Sequence, residues 1–279
     1  MLLSRTYRPS EALVPYIRRH YVFEAHLPSE LVIEDYLLSE TAFARFLLEG
    51  DWAGETAKGV WSRPGRALFF GANDMPFKVR VQGSFRVVGF AIRPSGWHAL
   101  FNQSHVDVKD RLFRLQDVWG DLADRILEGI EAASDDAGIV AAMEAGIAQR
   151  IETLSTPEID LQMAQFEVIA RTDSTMRIDD AADQVGLSVR QLERRCRSTF
   201  GLTPKGVLRR SRFLDIAAAK RGFSTPSERD LAELRFFDQS HLNREFKRYT
   251  RMTPGQFERA TTPLLTAGLK LREESRHED

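Results

Sequence analysis

The chain has 279 residues, 43% hydrophobic and 28% charged, with a net charge of −1, which fits a soluble globular protein of two domains. A single cysteine, Cys196, excludes a disulfide framework and any multi-cysteine zinc site. No apolar run approaches the ~18–20 residues of a membrane span, and the opening MLLSRTYRPSEALVPYIRRH lacks a secretory core, so the cytoplasm is expected.

Residues 1–116 read as β-rich. RALFFGAND (66–74), FKVRV (77–81) and FRVVGFAI (85–92) are short apolar or alternating runs punctuated by Gly, Asn and Asp. FKVRV, QGS and FRVVGFAI together predict a hairpin, with Phe77, Val79 and Val81 on one face. Short strands at this spacing predict a barrel or sandwich. Trp52, Trp61, Phe69, Phe70, Phe77 and Trp97 are expected in the core, with a small-molecule pocket as the second reading. His20, His26, His98 and His105 show no metal-ligand spacing. With no phosphate-cradling Gly loop and no GxSxG, neither catalysis, a metal nor a cofactor is expected.

Residues 117–158 change texture. Trp119, Leu122, Ile126, Leu127 and Ile130 recur at helical spacing, as do Ile139, Met143, Ile147, Ile151 and Leu154. Two amphipathic helices follow, packed on their own domains or against a second copy of the chain. Ser, Thr and Pro in STPEID (155–160) mark a boundary.

Beyond residue 161 the pattern is helical, and net charge conceals an asymmetry. Met176 to Ala260 holds eighteen Lys+Arg against eleven Asp+Glu, about +7, which leaves about −8 for the remainder. A repeat lies in this basic segment. Residues 50 apart align Leu192 with Leu242, Arg194 with Arg244, Cys196 with Phe246, Arg197 with Lys247 and Thr203-Pro204 with Thr253-Pro254. On a helical wheel Leu192, Cys196, Thr199 and Phe200 form an inner stripe, with Arg190, Arg194 and Arg197 outward. In the second copy Leu242, Phe246 and Tyr249 point inward, while Ser240, Asn243, Arg244, Lys247, Arg248 and Arg251 cluster opposite. Cys196 is thus expected as a buried apolar residue.

A short helix precedes the first copy: Ala181, Ala182 and Val185 form its inner face and Gly186 supplies a left-handed turn. Ser188 then caps the next helix, as Asp238 would in the second copy. Helix, tight turn and capped basic helix spell a helix-turn-helix, whose second helix enters the major groove. Arg190, Gln191 and Arg194, with Gln239, Ser240, His241 and Arg244, are the candidate base readers, and Ser188 and Asn243 are further candidates for contact with DNA. Arg197, Lys247 and Arg248 are candidate phosphate contacts. Between the copies, VLRRSRFLDIAAAKRGF (207–223) predicts a connecting helix, with Leu208, Phe213, Leu214 and Ala218 between the modules and Arg209, Arg210 and Arg212 toward phosphates. Two matched motifs rather than one basic helix favour nucleic acid over a merely solvated face. The competing reading is a non-catalytic protein- or RNA-binding module.

These features, with FDQSHLNREFKRYTRMTPGQF at 237–257, resemble the DNA-binding domain of the AraC/XylS family of bacterial transcription regulators. The resemblance implies a regulator, usually an activator, reading roughly two turns of double-stranded promoter DNA. It also implies RNA polymerase as a partner, a possible homodimer, and an effector at the N-terminal domain. One cysteine excludes the alkyl-transfer enzymes that share this domain. The pattern departs at Arg235 and Arg251, where Gly is usual, and at Asp230, where an apolar residue is usual. A non-Gly residue at a left-handed position costs on the order of 1 kcal/mol, so the second motif is expected to be looser or to dock differently, with either arginine as an extra phosphate contact the alternative reading.

The chain therefore reads as α+β. A β-rich, barrel or cupin-like sensor domain spans 1–116 and a helical linker 117–158. An all-α domain with two helix-turn-helix motifs spans 161–262, and a frayed charged tail 263–279.

Overall fold

The computed structural model describes residues 2–154, 159–224 and 239–274. Strands β1 (Leu2–Tyr7), β2 (Ile17–Ala25), β3 (Val32–Leu37), β4 (Phe43–Ala57), β5 (Val60–Ser62), β6 (Ala67–Phe70), β7 (Phe77–Ile92) and β8 (Leu112–Arg114) form one antiparallel sheet. Its order is β1-β2-β7-β4-β6-β8, with β3 on β7 and β5 on β4.

The expected hairpin at 77–92 is instead one continuous strand. QGS does not reverse the chain: Gly83 takes a left-handed φ of 68° inside β7. Opposite it, β4 slips register near Glu49 and Asp51, with Gly50 at φ 97°. A Gly-marked bulge and a Gly-marked turn look alike in sequence, and here the long pairing of β4 with β7 decides for the bulge. β3 then pairs the first half of β7 and β2 the second.

Both faces of this sheet are buried. Ala44, Phe46, Phe69, Val88 and Phe90 share one core with Trp119, Leu122, Ile126, Ile130, Ile139, Met143 and Ile147. These last come from α2 (Gln116–Trp119), α3 (Leu122–Ala132) and α4 (Asp136–Thr153). Their apolar stripes are spent on the sheet, each large side chain contributing about 1.5–3 kcal/mol of burial. The other face holds Phe43, Leu47, Trp52, Phe70, Val79, Val81, Phe85 and Val87, with Phe77 packed against it. The six aromatic residues therefore line no common cavity. Trp52, Phe70 and Phe77 serve one face, Phe69 and Trp97 (in α1, Trp97–Leu100) the other, and Trp61 lies under Arg80 and Lys78.

The rest is helical: α5 (Leu161–Thr172), α6 (Ile178–Gln184), α7 (Val189–Phe200), α8 (Pro204–Lys220), α9 (Gln239–Thr250), α10 (Pro254–Arg259) and α11 (Pro263–Glu274). Two small cores share α8. Leu208 joins Met163, Phe166, Ala181, Ala182, Leu192, Cys196 and Phe200, while Phe213 and Leu214 join Phe246, Tyr249, Phe257, Leu265 and Leu269. One helix thus fixes both modules.

The frayed tail expected from residue 263 is a correction. Pro263–Glu274 forms α11, with Leu264, Leu265, Leu269, Leu271 and Arg272 buried. It docks on β3 and α8, and Asp35 of β3 accepts from the N–H groups of Leu264 (2.7 Å) and Leu265 (3.2 Å) at its start. The charged ending LREESRHED masks an apolar helix whose partner lies over two hundred residues away.

Candidate nucleic-acid interface and the seam beside it

Ser188 caps α7 in a reciprocal box: its hydroxyl accepts from the Gln191 N–H (3.3 Å), and Gln191 Oε1 accepts from the Ser188 N–H (2.9 Å). Helix entry is thereby fixed, Ser188 serving as the expected cap and Gln191, expected to read bases, keeping only its amide NH2 for donation. Arg190, Arg194 and Arg197 are exposed, with Arg197 paired to Glu193 at 3.1 Å. Leu192, Cys196, Thr199 and Phe200 are the buried stripe, and burial pushes the Cys196 thiol pKa upward, so it is inert. Gly186 takes the left-handed turn at φ 69°.

In α9, Phe246 and Tyr249 are buried and Leu242 packs partly against them. Ser240, Arg244 and Lys247 are exposed and Asn243 is half-buried. The side chains of Gln239 and His241, and all of Asp230, Arg235 and Asp238, lie outside the described residues. Arg251 takes a left-handed φ of 62°, matching Gly201 at 70° fifty residues earlier. The repeated Thr-Pro pairs have one job: Thr203 and Thr253 cap α8 and α10, with Pro at the first helical turn of each.

The cations of α8 depart from expectation. Arg210 is 1% exposed, with its guanidinium donating to the carbonyls of Asn73 (3.1 Å) and Glu40. It cannot reach a phosphate; burial pushes its pKa down, and it holds the two domains together. Arg209 is half-exposed and gripped by the buried Glu245 (Nε to Oε2, 2.7 Å). Arg212 donates to the Ser174 carbonyl at 2.9 Å. Arg248 pairs with Asp74 of the N-terminal domain.

Periodicity carried no hint of this seam, because its members come from both domains. His105 stacks on Trp97 (centroids 4.0 Å apart); its Nδ1 donates to the Thr199 carbonyl at 2.7 Å and its Nε2 accepts from the Ala72 N–H at 2.9 Å. Burial pushes its pKa down to about 3, so the ring is neutral. Near the second module, Glu40 meets Arg272 (2.9 Å) and the Ser211 hydroxyl (2.9 Å), while Arg272 also meets Asp215 (2.7 Å). Burial opposes ionisation of Glu40, but Arg272, Arg18 and Arg210 outweigh it and hold its pKa well below the carboxylate range. A cavity of about 90 Å³ lies beside this cluster, and Arg45 reaches it from a cage of Phe43, Trp52, Tyr21 and Phe70 rings, 5.2–5.6 Å away.

Among the described residues, no helix is long and apolar enough to cross a membrane, and no cluster of His, Cys, Asp and Glu could hold a metal. Residues 181–260 match a helix-turn-helix domain, and residues 5–114 a domain of unknown function (DUF6597). No curated protein matches the chain. A solved structure of ToxT from Vibrio cholerae is 11% identical, covers 92% of this chain and 97% of its own, and superposes with a TM-score of 0.48. Wild-type ToxT from Vibrio cholerae strain SCE256 with a bound unsaturated fatty acid is 11% identical over 92% and 94%, with a TM-score of 0.47. The AraC-like transcriptional activator CuxR is 12% identical over 77% and 86%, with a TM-score of 0.27. The capped basic helix α7, the long helix α8 and the basic helix α9 thus all lie within the stretch, residues 181–260, that matches a helix-turn-helix domain.

Proposed function

We propose that the protein activates transcription by binding promoter DNA sequence-specifically, with α7 and α9 in successive major grooves. Arg190, Arg194, Asn243 and Arg244, with the amide of Gln191 and Ser240, are the base readers; Arg197, Lys247 and, once released, Arg209 and Arg248 meet phosphates. The observation that carries this reading is the pair of exposed cationic helix faces held by the single helix α8.

Regulation works through the seam. Asp74 occupies Arg248, so the domain arrangement described here competes with one phosphate contact. An effector that prefers the separated arrangement shifts the chain toward DNA, and only its difference in affinity for the two arrangements does so. RNA polymerase is the partner once DNA is bound, and a second copy of the chain occupies the neighbouring half-site.

Competition binding with selected genomic fragments tests this. Affinity should fall steeply with salt, as counterion release requires, while preference over random duplex persists. Equal binding to random and selected duplexes at every salt concentration rejects sequence reading. Preference for structured RNA over both duplexes would favour the RNA-binding alternative.

A further inference from the structure

A cleft of about 580 Å³ separates α5 from the N-terminal domain, distinct from the readers on α7 and α9. One wall is a single face of α5: Leu161, Ala164, Val168 and Arg171 follow one another at helical spacing. This face is unusually open, with Leu161 68% and Val168 40% exposed. The other wall brings up Arg8, Arg18, Arg19 and Arg93, and the described residues lining the cleft include no Asp or Glu. Arg18 and Arg93 reach Glu167 of α5, which is itself buried. Burial, with the like charge of Arg18, lowers the Arg171 pKa to about 10 against the pull of Glu167 and Glu40. A concentration of guanidinium groups at a roomy, partly apolar site favours an anion.

The size and chemistry of the walls narrow the ligand. A single carboxylate would engage one guanidinium fork, whereas a cluster of arginines, with Arg18 and Arg93 sharing the one carboxylate of Glu167 and Arg19 donating to the Leu271 carbonyl, suits a group with several charged oxygens, as phosphoryl groups present. The volume falls within the range of small-molecule sites and far exceeds what inorganic phosphate fills. The apolar face of α5 needs a non-polar body against it. We propose that this cleft binds a phosphorylated small molecule of nucleotide size, its phosphoryl groups on the arginines and its ring system on Leu161 and Val168. The cleft also adjoins a link to the reading helix: Asp160, which caps α5, accepts from Arg195 of α7 at 3.0 Å, and its N–H donates to the carbonyl of the cleft residue Ser95.

Calorimetric titration of the full chain with ADP, inorganic pyrophosphate and adenosine tests the assignment. Saturable ADP binding is expected, with pyrophosphate weaker and adenosine without detectable binding. Arg8 and Val168 are exposed, so Arg8→Glu and Val168→Asp should fold; each should weaken ADP about tenfold or more, and only the first should weaken pyrophosphate. Absence of saturable binding by ADP overturns the proposal, as does ADP binding that both variants leave intact. Pyrophosphate binding as tightly as ADP overturns the role given to α5. The readout is independent of DNA, so failure here leaves the promoter-binding reading standing, and the reverse also holds.

Discussion

α7 and α9 are each followed by a left-handed residue and a helix capped by Thr-Pro, but the two halves meet the N-terminal domain differently. The end of α7 is held by neutral contacts: His105 joins the Thr199 carbonyl, and Gly201 lies so close that a Cβ there would sit 3.2 Å from Lys109 and 3.4 Å from His105, while charge enters the first half through α5, where Glu167 meets Arg18 and Arg93. The second is held by charge, through Glu40, Arg272 and Asp215 and through Asp74 and Arg248. The left-handed position that closes each recognition helix reflects this. At Gly201 both conformation and space demand glycine, whereas the exposed Arg251 meets only the conformational cost, on the order of 1 kcal/mol. An identical place in a repeat therefore carries a different constraint according to what is packed outside it.

Removing the ionic clamp should have the largest effect. Arg272→Ala leaves Glu40 and Asp215 buried without their shared cation, and a loss of about 3–5 kcal/mol in urea unfolding is expected. Arg272→Met, which retains the packing, should show a comparable loss if charge is what matters; recovery by methionine would mean that the second half is also held by apolar contact.

Acid should loosen the neutral clamp. His105 stays unprotonated when folded, with a pKa of about 3, whereas the unfolded chain takes up a proton below about 6.5. Its stabilisation is complete above pH 6.5 and declines as pH falls toward 3, by about 2 kcal/mol at pH 5. Burial lowers His20 and His98 too, which steepens the same trend. Unfolding measured at pH 7.5 and pH 5 should show the loss, and His105→Gln should flatten it.

The closing positions give the smaller effects. Gly201→Ala should destabilise by roughly 1–2 kcal/mol, from the left-handed conformation and the crowding of Lys109. Arg251→Gly should instead stabilise, by at most about 1 kcal/mol, since the strain relieved exceeds the added chain entropy only slightly. Thermal unfolding of both variants checks the opposite signs, and equal signs would remove the distinction drawn between the halves.

Local chemistry was well written in the sequence. The inner stripe of α7, the left-handed Gly186 and the buried Cys196 all follow from spacing and residue type within a few turns of helix, whereas the left-handed Arg251 is implied only by the family resemblance. What escaped depends on distant partners. QGS looks like a turn until β4 runs alongside it, and the charged ending hides a helix until β3 is opposite. Arg210 resembles its neighbours Arg209 and Arg212 in every local respect, and only the carbonyls of Glu40 and Asn73 reveal that it faces inward. The seam is invisible to periodicity because no single element contains it.

The reading of two matched recognition helices is tested most directly by the affinity of Arg194→Ala and Arg244→Ala for a selected genomic fragment. Each should weaken binding by about 1–3 kcal/mol, roughly 5- to 150-fold, while discrimination relaxes at different positions of the site. Unchanged affinity in both variants would contradict the placement of α7 and α9 at the DNA.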